Sequence, residues 1–252
     1  MAGHSKWANI KHKKAATDAK RGKQWSKLSK AIMVAAKNGG SDMDVNIRLR
    51  TLVGDARAVS MPKDNISRAI KKGAGELDGA ANFEELIYEG YGPAGVAVMA
   101  ESLTENRNRT GPELKKIFEK GGGKMGASGC VAYLFDRKGL FLIACDQVDE
   151  EKLMEVTMEA GAEDIATADD NFEVICEPEA FTDVDAALEK AEIKCVSKEV
   201  TRIPQNTVDV TEVEDAKKLL HLMELLDDHD DIQNVSANFN IGEEAMAAIS
   251  EG

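Results

Sequence analysis

The sequence is poor in the residues that most often carry catalysis or hold metals. It contains only four histidines and four cysteines in 252 residues, with no C-x-x-C pair and no H-x-H or H-E-x-x-H spacing. A zinc site or a histidine-based hydrolase therefore has almost no candidate ligands or bases. Each cysteine lies in or beside an apolar, strand-like run, which favours reduced thiols packed in a core. We expect no catalytic residues, no metal and no cofactor.

Long apolar runs are also missing from the sequence. No stretch approaches the roughly 20 uninterrupted apolar residues that a membrane span requires. The N-terminus is basic and lacks the apolar segment of a secretory signal. We therefore expect a cytoplasmic protein with no membrane partner.

Charge is divided unevenly along the chain. The formal net charge is −13, yet residues 1–80 contain 17 Lys and Arg against 7 Asp and Glu, which leaves 15 against 38 in the remainder. The first 30 residues alone hold nine of these cations and a single acid, Asp18. Such asymmetry is typical of a basic module that meets a polyanion, joined to an acidic remainder that resists indiscriminate adhesion.

The basic part has the apolar spacing of a small helical bundle. From Trp25 onward, apolar residues recur every three or four positions, and lysines recur at the same spacing on the opposite side. The first helix should end at Asn38-Gly39-Gly40, after which Ser41, with an acid three residues later, can cap a second helix. A third helix follows Pro62. We expect residues 1–80 to form a basic arm and a helical bundle.

Beyond a short linker the apolar period changes from 3.6 to 2, which indicates strands. Two predicted strands, Phe83–Tyr91 and Val96–Leu103, flank a turn that contains Pro and Gly. Thr110, with a glutamate three residues later, forms a capping box, which predicts a helix from about Gly111 to Lys120. Val131–Phe135 is the expected third strand.

Residues 137–204 show a recognisable order of elements. Strands and helices follow each other as βαββαβ, the ferredoxin-like plan, and Pro204 closes the unit. The helix and strand that follow are too short to fold alone, so we expect them to return to the first sheet, with a frayed tail from Ile241. The predicted fold is a multidomain α+β chain, in which a helical bundle precedes a discontinuous α+β domain (81–136 and 205–252) that contains the ferredoxin-like insertion.

Cations cluster where a nucleic acid could be bound. In the arm they alternate with Trp7, whose ring can stack on an exposed base, and the first and third helices extend the same charge. Two arginines after the second strand add donors at a helix N-terminus, a place attractive to phosphate. The predicted nucleic-acid-binding residues are Lys6, Trp7, Lys11, Lys13, Lys14, Lys20, Arg21, Lys23, Lys27, Lys30, Arg68, Lys71, Lys72, Arg107 and Arg109.

Several of these features have an alternative structural role. The arm could be solvated with Trp7 packed on the bundle, and the two arginines could pair with local acids. The run Gly121–Gly126 satisfies G-x-G-x-x-G but follows a helix and precedes a strand, the reverse of a dinucleotide site, so its glycines should end the helix. Acid pairs such as Asp227-Asp228 lack a neighbouring nucleophile, and we interpret them as solvated. We give the nearby His221 and His229 no metal role.

Six longer motifs together resemble the YebC family of probable transcriptional regulators. They are Met1–Trp7, Lys11–Lys23, Met61–Ile66, Tyr88–Pro93, Leu103–Thr110 and Val131–Phe135. The resemblance covers nearly the whole chain and implies three domains, with a ferredoxin-like domain inserted into an α+β domain. It also implies a role in gene expression. Bacterial members are described as DNA-binding transcriptional regulators, a mitochondrial relative is the translational activator of cytochrome c oxidase, and others resemble ribosome-associated factors that relieve stalling at proline-rich stretches.

The expected function is thus a non-enzymatic, nucleic-acid-binding regulator of gene expression, with DNA as the first partner. Ribosomal RNA is the alternative, because Trp7 offers a stacking group and the bundle has no evident recognition helix presenting Asn, Gln and Arg to a groove. The acidic domains could bind the ribosome or other proteins, so an adaptor role also stays open. An enzyme would need a pocket with perturbed acid–base groups, which the sequence does not indicate.

Overall fold

The computed structural model describes residues 18–77, 82–168 and 170–250. The basic region forms three helices, α1 (Asp18–Gly39), α2 (Ile47–Ala58) and α3 (Lys63–Gly73). Ile32, Leu49 and Ile66 bring the three helices together in one apolar core. Helices α1 and α3 approach so closely that a Cβ at Gly73 would clash with the Met33 carbonyl oxygen. The bundle expected from the apolar spacing is present.

The cap of α2 is not the predicted one. Asn46, and not Ser41, precedes this helix and accepts the backbone N–H of Leu49 at 3.0 Å. The same side chain donates to the carbonyls of Ala35 at 2.9 Å and Gly40 at 2.8 Å. One amide therefore caps the new helix and satisfies carbonyl groups at the end of the old one, which a serine hydroxyl cannot do at once.

The central sheet carries the residues that follow the bundle. Its strands are β1 (Glu84–Tyr91), β2 (Ala97–Thr104), the two-residue β3 (Lys124–Met125) and β9 (Ile232–Ala237), in the antiparallel order β3-β1-β2-β9. Two short strands, β8 (Val208–Val210) and β10 (Phe239–Ile241), pair in parallel beside it. The last strands thus return to the sheet that β1 begins, as expected.

Three helices complete the core of the central sheet: α4 (Arg107–Lys120), α7 (Val213–Asp227) and α8 (Glu243–Ser250). The prediction of a frayed tail from Ile241 was wrong, because Ala245 of α8 is buried and Met246 and Ile249 pack on the same core. Ala245, Met246 and Ile249 recur at the spacing of a helix, so they lie on one face of α8 and pack it on the core.

The start of α4 also differs from the prediction. Asn106 caps the helix by accepting the N–H groups of Asn108 and Arg109, one turn before the expected cap at Thr110. Thr110 is instead buried inside the helix, where its hydroxyl meets that of Thr104 at 2.8 Å. Asparagine is among the strongest N-cap residues, so Asn106 caps the helix in place of Thr110, whose hydroxyl has a partner elsewhere.

The expected strand Val131–Phe135 is a 3-10 turn, Ala132–Leu134, and a strand begins only at Phe135. The carboxylate of Glu89, buried below this turn, accepts the N–H groups of Val131 and Ala132 at 2.8 and 2.9 Å. These two donors are therefore taken and cannot join a sheet ladder.

A second antiparallel sheet follows, built from β4 (Phe135–Ala144), β5 (Ala162–Ala168), β6 (Asn171–Cys176) and β7 (Ser197–Pro204) in the order β5-β6-β4-β7. Two helices, α5 (Glu150–Met158) and α6 (Phe181–Lys190), pack on one face of it. The element order is the predicted βαββαβ. Phe135 pairs with Pro204, so the chain enters and leaves this unit at adjacent positions.

Candidate nucleic-acid interface

The predicted lysine stripe of α1 lies against an acidic segment of the chain, Asp227–Asp231, at the C-terminal end of α7. Lys23 Nζ reaches the Asp228 carbonyl at 3.2 Å and its carboxylate at 3.3 Å. Lys27 Nζ reaches the Asp227 carbonyl at 2.5 Å and its carboxylate at 3.3 Å. The last carbonyls of a helix have no intrahelical partner and carry partial negative charge, so a row of ammonium groups suits them.

The third lysine, Lys30, completes the row. Its Nζ bonds the Asp230 carbonyl and the Asp231 carboxylate, both at 2.8 Å. Asp227 is 22% exposed and paired with Lys27, so our interpretation of this acid as solvated was wrong. Asp228 pairs with Lys23 but stays exposed to solvent. Helix α1 thus docks on the acidic segment through three consecutive lysines of one stripe.

Asp231 is the most buried acid of this segment, with its side chain 3% exposed. Besides Lys30, its carboxylate accepts the hydroxyl of Thr110 at 2.8 Å and the guanidinium of Arg109 at 2.5 Å. The Asp231 carbonyl also accepts the N–H of Leu103 at 2.8 Å. One residue therefore ties together α1, α4 and β2.

The ionisation of Asp231 reflects these contacts. Burial disfavours the carboxylate and by itself would raise its pKa, but hydrogen bonds from Lys30, Thr110 and Arg109 outweigh burial and lower the pKa to about 2. Arg109 in turn has its pKa raised by the hydrogen bond and the charge of Asp231. Asp231 is therefore ionised at neutral pH.

The two arginines of the loop after β2 differ. Arg109 is held by Asp231 and lies 3.8 Å from Glu113, one turn further along α4. Arg107 is exposed. Burial raises the pKa of Tyr88, and the positive charge of Arg107 opposes that shift. Of this predicted pair, Arg109 thus has the local acid partners that the structural alternative expected.

The cations of α3 are differently placed. Arg68 and Lys71 are exposed and Lys72 is half-buried. None of the three forms an ion pair within the described part of the chain. Since they are spaced three and four residues apart, they lie on one side of the helix.

Part of the predicted interface lies outside the described residues, namely Lys6, Trp7, Lys11, Lys13 and Lys14. The backbone of Lys20 belongs to α1, and its side chain is likewise outside. Arg21 is exposed on α1. The predicted binding role of all fifteen residues stays a prediction.

The histidines of the described residues are His221 on α7 and His229 just after it. His229 Nε2 lies 3.1 Å from Glu113, and its Nδ1 accepts the N–H of Asp231 at 3.2 Å. His221 is exposed on α7. Among the described residues, no group of three His, Cys, Asp or Glu side chains is arranged to hold a metal ion. Within those same ranges, no helix combines the length and apolar character needed to cross a bilayer.

The acidic segment is the feature that sequence reasoning missed. Its run of four aspartates around His229 directly follows a predicted helix, and α1 presents lysines at helical spacing. The sequence therefore shows both the acidic and the basic cluster. About 200 residues separate the two, and nothing in local spacing indicates that they meet. Glu89, whose carboxylate holds the 3-10 turn, was missed for the same reason.

Comparison with known proteins agrees with the architecture. Residues 5–76 match the model described as the TACO1/YebC protein N-terminal domain, and residues 83–239 match the one described as the TACO1/YebC second and third domain. A probable transcriptional regulatory protein of Rhodopirellula baltica is 56% identical over 248 residues, covering 98% of this chain and all of that one. A protein of the same description from Natranaerobius thermophilus is 57% identical over 249 residues, covering 98% of this chain and 99% of its own.

A solved structure shares the fold as well. The crystal structure of a conserved hypothetical protein from Aquifex aeolicus superimposes with a TM-score of 0.85 at 48% identity, covering 94% of this chain and 97% of that one. The resemblance seen in the sequence motifs is confirmed. The chain belongs to the TACO1/YebC family, and its relatives named above are described as probable transcriptional regulatory proteins.

Proposed function

We propose that this protein is a non-enzymatic, cytoplasmic regulator of gene expression that binds DNA through the cations of its helical region. The observation that carries the proposal is the group Arg68, Lys71 and Lys72 on one side of α3, which has no acidic partner among the described residues. Cations left without acids in an otherwise acidic protein are suited to a phosphate backbone. The description of the relatives as probable transcriptional regulatory proteins supports DNA as the ligand.

The lysines of α1 can bind nucleic acid only when they separate from the acidic segment. Lys23, Lys27 and Lys30 are engaged by the acidic segment, so a nucleic acid reaches them only by displacing aspartates. Lys23 is the most accessible of the three, because 45% of its side chain is exposed. We therefore infer that phosphates bind the α3 cations first and compete for the α1 row afterwards.

The binding is directed at phosphates more than at bases. Asn65 and Arg68 are the exposed residues of base-reading type on α3, beside lysines that act as point charges. A groove reader normally presents three or four such side chains. This shortage favours the second candidate, a ribosome-associated translation factor that contacts ribosomal RNA, over a sequence-specific repressor.

We further assign the βαββαβ unit to the ferredoxin-like fold and place it, as residues 137–204, inside a discontinuous domain of residues 81–136 and 205–252. The strand order β5-β6-β4-β7 supports this assignment. In the proposal these acidic domains orient the complex or recruit protein partners, the ribosome among them, while residues 1–80 supply the charge that holds the nucleic acid.

The test reverses the three α3 charges together. The variant Arg68→Glu/Lys71→Glu/Lys72→Glu should bind a 20-base-pair DNA duplex about 100-fold more weakly, with a slope of log K against log salt that is less steep by about 3. Fluorescence anisotropy over a salt series measures both quantities. The matched control Lys152→Glu/Lys190→Glu/Lys194→Glu makes the same change of net charge on exposed lysines of the inserted unit and should stay within about twofold.

Equal losses of affinity in the two variants would contradict a role for α3 and show that binding depends only on net charge.

Sedimentation of a DNase-treated lysate separates the two candidate functions. Migration of the unaltered chain with ribosomes, lost in the α3 variant but kept in the control, would move the assignment to the translation factor.

A further inference from the structure

A second surface with nucleic-acid chemistry lies at the far end of β1. Two of the three tyrosines of the chain are exposed there, Tyr133 by 69% and Tyr91 by 41%. The Tyr91 hydroxyl donates to the Cys130 carbonyl at 3.0 Å, which joins β1 to the segment that carries Tyr133. Burial raises the pKa of Tyr91, and the nearby Cys130, Tyr133 and Glu89 raise it further, which places the two phenols in one neighbourhood.

The segment that presents Tyr133 is held rigidly. The buried carboxylate of Glu89 accepts three backbone N–H groups, those of Gly129 at 2.6 Å, Val131 at 2.8 Å and Ala132 at 2.9 Å. Burial opposes ionisation of Glu89, yet these three bonds outweigh it and lower its pKa. Fixing the loop in this way reduces the entropy that Tyr133 loses when a ligand stacks on it.

A cation lies beside Tyr91. Lys124 pairs with Tyr91 across β1 and β3, so the two side chains lie on the same face of the sheet. Lys124 is exposed and has no ion-pair partner within the described ranges.

This surface, defined by Tyr91, Tyr133 and Lys124, is separate from the bundle. Arg48 of α2 bonds Glu85 at the start of β1, whereas Tyr91 ends the strand. Seven residue steps of an extended strand place the two ends about 23 Å apart. A ligand on the tyrosine surface therefore does not need the α3 cations.

The exposed apolar residues argue against a protein as the occupant. Besides the two tyrosines, the exposed large apolar side chains of the described residues are Val45, Ile47, Leu77, Ile87, Met154 and Met158. Of these, Ile87 lies on β1, four positions or about 13 Å before Tyr91, and none belongs to β3 or the segment 121–134, so the tyrosines have no adjacent exposed large apolar side chain of the kind that forms the core of a protein interface. Exposed aromatic rings beside a lysine are instead typical of a single-stranded nucleic-acid site.

We propose that Tyr91, Tyr133 and Lys124 bind a single-stranded stretch of nucleic acid, with unpaired bases stacked on the tyrosine rings and a phosphate beside the lysine. A duplex buries its base faces, so it cannot use the rings. The inference goes beyond the proposed function, because it adds a second contact with a different ligand geometry.

The test compares a 12-nucleotide uridine oligomer with a 12-base-pair RNA duplex in fluorescence anisotropy. Tyr133→Ala should weaken binding of the single strand by about tenfold and leave the duplex unchanged. Tyr133→Trp keeps an aromatic face and should restore the affinity. Met154→Ala removes a similarly exposed apolar side chain from α5 and should change neither ligand. The variant Lys124→Ala should make the salt slope for the single strand less steep by about 0.7.

The outcomes separate this inference from the proposed function. If the α3 variant loses the duplex while Tyr133→Ala still binds the uridine oligomer normally, the tyrosine surface is refuted and the α3 proposal stands. If Tyr133→Ala weakens both ligands equally, stacking is refuted. If the unaltered protein does not bind the uridine oligomer, the tyrosine surface is refuted, whereas the α3 proposal fails only if the 20-base-pair DNA duplex of its own test is not bound. Loss of the single strand in Tyr133→Ala alone, with duplex binding sensitive only to the α3 charges, would support two distinct surfaces.

Discussion

Helices α1 and α3 each carry three cations on one side, but these cations have different surroundings. The α1 lysines contact the acidic segment Asp227–Asp231, whereas Arg68 and Lys71 of α3 are exposed, Lys72 is half-buried, and none of the three pairs with an acid among the described residues. Both rows look alike in the sequence, and only one is free to bind a phosphate. A count of basic residues therefore overstates the cationic surface that a ligand meets.

The cations of the two helices also differ in the groups that they interact with. In α1, ammonium groups compensate the exposed carbonyls at the end of α7 and hold the bundle on the central sheet. In α3, the cations have no acidic partner among the described residues, and we propose that they bind a ligand. The predictions below test whether the acidic segment is responsible for this division.

The largest expected effect is on stability. Asp231→Ala leaves Lys30 and Arg109 without their shared carboxylate, and removing one partner of a buried charged cluster costs about 3 kcal/mol of unfolding free energy when one of the cations is partly exposed. Urea unfolding of the full chain at pH 7 measures the change. Asp230→Asn is the matched control, because Lys30 contacts the carbonyl of that residue and should keep it, with a loss below about 0.5 kcal/mol.

The same cluster has a defined dependence on pH. The folded pKa of Asp231, about 2, lies below the ordinary value of 3.8, so its stabilising contribution is present above about pH 4 and is lost as the pH falls through 2. The stability gap between the unaltered chain and Asp231→Ala should narrow over that interval. A gap that stays constant down to pH 2 would show that ionisation of Asp231 contributes nothing.

Substitution of Asp55 should have a smaller effect on stability, of opposite sign to that of Asp231→Ala. Asp55 is an acid of α2 that lines the cleft towards the inserted unit. Burial raises its pKa to about 6; Lys198 opposes this shift, and Asp185 and Glu199 add to it. A folded pKa above the unfolded one means that stability is full below about pH 3.8 and declines as the pH rises through 6. Asp55→Asn should therefore stabilise the chain at pH 7 by about 1 to 2 kcal/mol.

That gain should vanish near pH 4, where Asp55 is protonated in the folded chain. Thermal or urea unfolding at pH 7 and pH 4 provides the comparison. Asp64→Asn removes an exposed acid of α3 and should have no pH-dependent effect of this size. A destabilised Asp55→Asn at pH 7 would mean that Lys198 dominates over burial.

The smallest effect concerns binding. Asp227→Asn with Asp228→Asn weakens the hold of the acidic segment on Lys27 and Lys23, which should raise affinity for duplex DNA about fivefold, or roughly 1 kcal/mol, at low salt. The gain should disappear when the α3 charges are reversed, if phosphates bind there first. Fluorescence anisotropy measures the affinity of this variant for the duplex. The variant Asp209→Asn/Asp215→Asn makes the same change of net charge and is the control. An equal gain in the control would mean that the affinity depends on net charge alone.

The elements that local pattern predicts best are those with long, regular apolar spacing. The bundle helices and the βαββαβ order followed from the apolar period. Two of the errors arose where a distant side chain intervened. Glu89 took the backbone donors of Val131 and Ala132 and turned an expected strand into a 3-10 turn. Asp231 took the hydroxyl of Thr110, and the helix start moved to Asn106.

The sequence by itself determined which segments form helices and strands, the family to which the chain belongs and the separation of a basic beginning from an acidic remainder, because apolar periodicity and charge are local properties. Only the tertiary structure decided which cations are neutralised. Lys23, Lys27 and Lys30 meet the acidic segment, about 200 positions away in the chain. Coulomb attraction between charged groups depends on distance in space and on burial, and spacing along the chain specifies neither.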